Sequence, residues 1–230
     1  MAAGGGVERT AWKVRCVCGA ATLSFHGRCL LRLDCGCCDC RQAREHAAVV
    51  LGGPPSRSAM SPLAYFPNDV TLDPPASAVL PDGTPRYFLT MLREGAYSTR
   101  LLTRCCHSTL AVDHPAYTSS VVMVPISSCQ VEGEADLPDP AARIYMHDWD
   151  TAVDGPPPPV IPSSTPVLSR DVDGDEYDKK AEVYRRVFRA ARPVENMIGE
   201  TVQQVYAAVG EVDVLGLSQG QRYVPMVAKV

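Results

Sequence analysis

The chain of 230 residues lacks any apolar run near the roughly 18–20 residues that a membrane-spanning helix needs, because cysteine, glycine, proline or charge interrupts every such stretch. It also lacks an excess of basic charge. Its 22 Lys and Arg stand against 26 Asp and Glu, a formal net charge of -4, which argues against a general nucleic-acid binder. The first eight residues show no basic flank followed by an apolar stretch, so no secretory signal is read there. No internal repeat is evident. No C-x-x-C is expected at a helix start in a βαβ setting, which leaves a thiol redox protein as the weakest reading. Hydrophobic residues make up 46% and charged residues 21%, so the chain can bury a core. These features lead to the expectation of a cytoplasmic protein without a membrane segment or a nucleic-acid partner.

What the chain does have is cysteine. Ten occur: Cys16, Cys18, Cys29, Cys35, Cys37, Cys38, Cys40, Cys105, Cys106 and Cys129. In a small secreted chain they would read as a disulfide framework. In a longer chain in a reducing compartment, thiols at short spacing read as thiolate metal ligands. Cys16-Val17-Cys18-Gly19 is a C-x-C on a strand-like stretch, whose period of two puts both sulfurs on one side, with Gly19 expected to clear room for the backbone. A structural zinc takes four ligands, so two more must come from elsewhere.

Cys35-Gly36-Cys37-Cys38-Asp39-Cys40-Arg41 is denser. Its C-x-C-x-x-C skeleton, Cys35, Cys37 and Cys40, can wrap one metal with three sulfurs and leave a fourth position open, as a catalytic zinc does; Cys38 is then spare. Arg41 would offset the negative charge of the cluster or hold an anionic ligand, unless it is an ordinary surface cation. Cys105-Cys106-His107 supplies the partners for Cys16 and Cys18. Adjacent cysteines point apart on an extended chain, so one metal takes both only if the chain turns there, and His107 is the alternative fourth ligand. Cys29 and Cys129 have no companion at ligand spacing and read as core thiols.

Four regions are expected. Residues 1–11 read as a flexible tail, and 12–150 as an all-β domain of short strands with frequent turns and no intervening amphipathic helix. Alternation marks a hairpin or meander through 14–35, then strands over Ala47–Leu51, Arg86–Leu92, Ser98–Thr103, Ser120–Ile126 and Ala142–Met146. Residues 151–175 carry Pro156–Pro159 and form an extended linker, or a strap lying on the domain. Residues 176–230 form a helical extension. Tyr177 to Ala191 and Met197 to Val209 have helical spacing, Pro193 divides them and Gly210 fits a C-terminal cap. Acids at 171–178 followed by bases at 179–192 suit the dipole of the first helix, and that basic face is also a possible docking surface for an acidic partner.

The motifs Cys16-Val17-Cys18-Gly19-Ala20 and Cys35-Gly36-Cys37-Cys38-Asp39-Cys40-Arg41, with Cys105-Cys106 more loosely, resemble the glutathione-dependent formaldehyde-activating enzyme and centromere protein V family. The resemblance spans about residues 13–150, including Arg143-Ile144-Tyr145-Met146-His147-Asp148-Trp149, which looks like the family's closing strand. It implies an Mss4-like β-tent fold and two zinc ions, a structural one at Cys16, Cys18 and the Cys105/Cys106 pair, and a catalytic-type one at Cys35, Cys37 and Cys40. For enzymatic members it implies a carbon–sulfur lyase, in which glutathione adds to formaldehyde to give S-hydroxymethylglutathione. For the centromere protein V branch it allows a non-catalytic, zinc-stabilised module that binds a protein partner. The chain departs from the family's usual late C-x-x-C-G-T, reading Thr103-Arg104-Cys105-Cys106-His107-Ser108-Thr109, and Gly36 stands where the family often carries His.

Overall fold

The computed structural model describes residues 11–56, 58–149, 151, 155–159, 165–168, 182 and 197–219. The expected tail before residue 11, the charge pattern of 171–192 and the first helical run, apart from Glu182, lie outside the described residues.

The strands are β1 (Ala11–Arg15), β2 (Thr22–His26), β3 (Leu31–Cys35), β4 (Ser61–Pro67), β5 (Val70–Asp73), β6 (Tyr87–Met91), β7 (Thr99–Thr103), β8 (Thr109–Asp113), β9 (Val121–Pro125), β10 (Gln130–Val131), β11 (Ala142–Ile144) and β12 (Val212–Val214). The helices are α1 (Cys38–Glu45) and α2 (Val202–Val209). The fold is mainly β, as the short alternating stretches predict. β1 and β2 form the expected hairpin, with Arg15 opposite Thr22, inside a four-stranded sheet ordered β10-β1-β2-β5. β3 does not continue that meander. It enters an eight-stranded sheet ordered β11-β3-β4-β9-β8-β7-β6-β12.

The larger sheet is buried on both faces, so its strands carry near-continuous apolar runs rather than clean alternation. Ala64 and Phe66 of β4 and Val122 and Val124 of β9 face Val14, Leu23 and Phe25 of the small sheet. The Phe25 and Phe66 rings stack at 4.6 Å. On the opposite face Leu63, Tyr65, Val121 and Met123 pack with Leu33, Tyr117, Ile144 and Leu168.

The expected strand Ala47–Leu51 is instead a wide helical turn, His46–Val50, that continues α1 and closes with Leu51 N–H donating to the His46 carbonyl at 3.2 Å. Its valines are exposed, while Ala47 packs on Phe88 and Leu102, so tertiary packing overrides β-branched propensity. α1 itself was not expected, and the C-x-x-C of Cys37 and Cys40 does sit at a helix start.

Two segments close the edges of the large sheet. The prolines lie as a strap along β11, whose Arg143 donates from Nη1 to the Pro158 carbonyl at 2.6 Å, while Leu168 N–H returns to the Arg143 carbonyl. At the other edge β12 pairs in parallel with β6. α2 begins with a Thr201/Gln204 capping box, ends at Gly210 and buries Val202, Val205 and Tyr206 in the main core. Asn68 and Asp69 anchor this region: Asn68 Oδ1 accepts from Val202 N–H at 2.7 Å, and Asp69 accepts from Gly199 N–H at 2.7 Å. Among the described residues no helix is long and apolar enough to cross a membrane.

Candidate metal centres

The first centre forms where the two sheets meet. β1 ends at Arg15, and the chain turns tightly so that Gly19 N–H donates to the Cys16 carbonyl at 2.8 Å. Gly19 has φ +77° and no atom within 4 Å of where a Cβ would stand, so the left-handed backbone, and not crowding, is what asks for glycine. A second turn between β7 and β8 brings up Cys105 and Cys106. His107 N–H donates to the Thr103 carbonyl, and His107 takes a positive φ of 53°. That turn points both adjacent sulfurs the same way.

Cys16, Cys18, Cys105 and Cys106 place their sulfurs within 4.8 Å of one another. The separations are 3.4 Å for Cys16–Cys18, 3.8 Å for Cys16–Cys105, 3.3 Å for Cys18–Cys105 and 4.0 Å for Cys105–Cys106. Four sulfurs at the zinc–thiolate bond length of ~2.3 Å sit about 3.8 Å apart, so the quartet fits a tetrahedral ion. His107 is not part of it and stands edge-on to the Phe88 ring at 6.0 Å.

Neighbouring groups favour negative sulfur. Ala21 N–H donates to Cys16 Sγ at 3.2 Å, and Ser108 Oγ lies 3.2 Å from Cys106 Sγ while accepting from Val17 N–H at 2.9 Å. With protons in place of a metal, donation from Cys16 pulls Cys106 down to about 3, and the same bond, helped by burial, pushes Cys16 up. One sulfur thus carries the charge that a divalent cation would spread over four.

The second centre lies at the junction of β3 and α1. Cys35 ends the strand, Cys37 is the helix N-cap and accepts from Cys40 N–H at 3.3 Å, and Cys40 occupies the first turn. All three sulfurs lie within 4.8 Å of one another, and among the described residues no histidine or carboxylate joins them. The trio fits three positions of a tetrahedron and leaves one open. Cys35 and Cys37 hold Cys40 well below the ordinary thiol range, with Arg100 and Arg44 adding to the effect, while Cys35 is raised by its bonds to Cys37 and Cys40 and by burial. Gly36 lets the closing segment approach, since a Cβ there would meet the Tyr145 carbonyl oxygen at 3.1 Å.

Arg41 is buried against that segment. Its Nη2 donates to the Asp148 carbonyl at 2.9 Å and lies 3.7 Å from the sulfur of Cys38, which stands outside the trio. Arg41 also borders a cavity of about 430 Å³ with Arg44, Glu45, Ser56 and Ser58. Asp148 Oδ2 accepts from Cys38 N–H at 2.9 Å, satisfying an otherwise free amide at the helix start. Cys129 is a core thiol and Cys29 is partly buried beside the core, its thiol pushed up to about 11 by burial.

Asp148, Ser108, Arg44 and Arg100 were not singled out from the sequence. Arg44 would have emerged had α1 been read as a helix, since it stands one turn beyond Cys40; the others depend on turns and cross-strand register. No protein-family model matches the chain, and no curated protein matches it.

Proposed function

We propose that the chain is a cytoplasmic zinc protein of the glutathione-dependent formaldehyde-activating enzyme and centromere protein V kind, with an Mss4-like β-tent core, acting as a carbon–sulfur lyase. The observation that supports this is the convergence of seven cysteines from three stretches into one closed quartet and one open trio. Zinc held by Cys35, Cys37 and Cys40 would lower the pKa of an incoming thiol at the open position. In the reaction a glutathione sulfur forms a bond to the formaldehyde carbon, the C=O π pair moves to oxygen, and that oxygen takes the proton the thiol gave up. The product is S-hydroxymethylglutathione, and for so small an electrophile positioning is most of the work.

Elemental analysis of the purified chain is expected to give two zinc ions, and a Cys35→Ser/Cys37→Ser variant to lose one while staying folded. Wild type is then expected to accelerate adduct formation from glutathione and formaldehyde, and the variant not to. A rate equal to the uncatalysed one removes the lyase and leaves the zinc protein.

A second reading, a non-catalytic zinc-stabilised module for a protein partner, draws support from burial. Cys35 is 3% exposed, and the cavity that Cys40 borders measures about 20 Å³, against the ~300–1,000 Å³ of ordinary ligand pockets. None of the three cysteines lines the larger cavity beside Arg41. This reading expects both zinc ions and no rate enhancement.

A further inference from the structure

Cys40 and Arg44 stand four residues apart on α1 and so share one face of the helix. Arg100 reaches the same place from β7, and the three line one small cavity between helix and sheet. Arg100 is only 6% exposed. Neither arginine has a carboxylate within ion-pairing distance among the described residues. Arg44 gives its guanidinium to neutral acceptors, Nη1 to the Met60 carbonyl at 2.8 Å and Ser61 Oγ at 3.0 Å, Nη2 to the Ala59 carbonyl at 2.9 Å. Arg100 Nη1 donates to the Ser98 carbonyl at 3.1 Å. Asp113, next to the cross-strand partner of Arg100, accepts from Gln203 instead.

A buried guanidinium without a countercharge is strongly unfavourable. Three thiolates on a divalent cation carry one net negative charge, and this trio is enclosed beside both arginines. The quartet differs: Cys18 is exposed, so water screens its charge, and the nearby Arg104 lies over the Phe88 ring.

We infer that Arg100, buried, and Arg44, half-buried, are positioning residues of the Cys35–Cys37–Cys40 centre, countercharges beside its sulfurs that set its metal affinity. The inference rests on the zinc-binding reading above. The test is zinc competition with a chromophoric chelator on the full chain, with the quartet as internal reference. Arg100→Met is expected to weaken zinc at the trio roughly 10- to 100-fold, to leave the quartet unchanged, and to lose this effect when Lys replaces Met. The weakening should persist at high salt, because Arg100 is buried. A packing role would show no rescue by Lys and no selectivity between centres. If Arg100→Met folds poorly, Arg44→Met carries the same comparison. Trio affinity unchanged in both variants overturns the inference and spares the zinc reading; a wild-type trio that takes no zinc overturns both.

Discussion

Cys105 and Cys106 are neighbours in sequence, and on an extended strand their sulfurs would diverge. The turn closed by His107 N–H and the Thr103 carbonyl removes that conflict and sends the imidazole toward Phe88 instead. Cys106 therefore stands with Cys16, Cys18 and Cys105 in the group that could hold an ion, and His107 stands apart from it. Cys106→Ser is expected to remove one zinc per chain by elemental analysis, and His107→Ala to retain both. The reverse pattern would mean that the imidazole swings in to complete the quartet. The cysteine types and spacings made both sulfur clusters legible without a structure, but left open whether Cys106 or His107 would join the first. Gly19 was legible only as a glycine, since the positive φ it supplies is a property of the turn.

At the scale of elements, the expected strands over 86–92, 98–103, 120–126 and 142–146 correspond to β6, β7, β9 and β11 of the large sheet, whereas β4, β5 and β8 were not read from the sequence. β4 begins Ser61-Pro62 and ends at Pro67, and prolines argue against a central strand, yet β4 lies between β3 and β9 with Pro62 and Pro67 near its ends. α1 hid because the residues it buries are Arg41 and Gln42, so no apolar stripe marks the helix. The link between β8 and β9 is another polar device. His114 caps the short helical turn Pro115–Tyr117 by accepting from Ala116 N–H at Nδ1, 3.0 Å away. Burial holds its pKa below the ordinary histidine value, against a smaller upward pull from Asp113. The native state then prefers the neutral ring, and below about pH 6.5 the unfolded chain binds more protons. This contribution is complete above that pH and is lost as pH falls through the lower native value. His114→Asn keeps an acceptor and removes the titration, so urea midpoints at pH 7.5 and 5.5 should differ less in the variant than in wild type. Equal differences would exclude the cap as a source of acid sensitivity.

For the whole molecule, the two centres bind different distances of chain. The quartet joins the end of β1 in the small sheet to the β7–β8 turn in the large one, across sequence separations of 87 and 89 residues. The trio gathers sulfurs no more than five residues apart at one strand–helix junction. Closing the longer loop removes more entropy from the unfolded chain, and the logarithmic dependence on length puts the difference at about 2.5 kcal/mol. For a chain of this size that corresponds to roughly 5–10 °C in melting temperature. Cys105→Ser/Cys106→Ser is thus expected to melt lower than Cys35→Ser/Cys37→Ser by that margin, each measured with its remaining zinc bound. The aromatic contact between Phe25 and Phe66 spans the same gap between sheets, so loss of the quartet should also loosen that pair and change the near-ultraviolet circular dichroism. The trio variant should leave the aromatic signal intact. Equal melting temperatures would mean that packing between the sheets, and not the metal, holds them together.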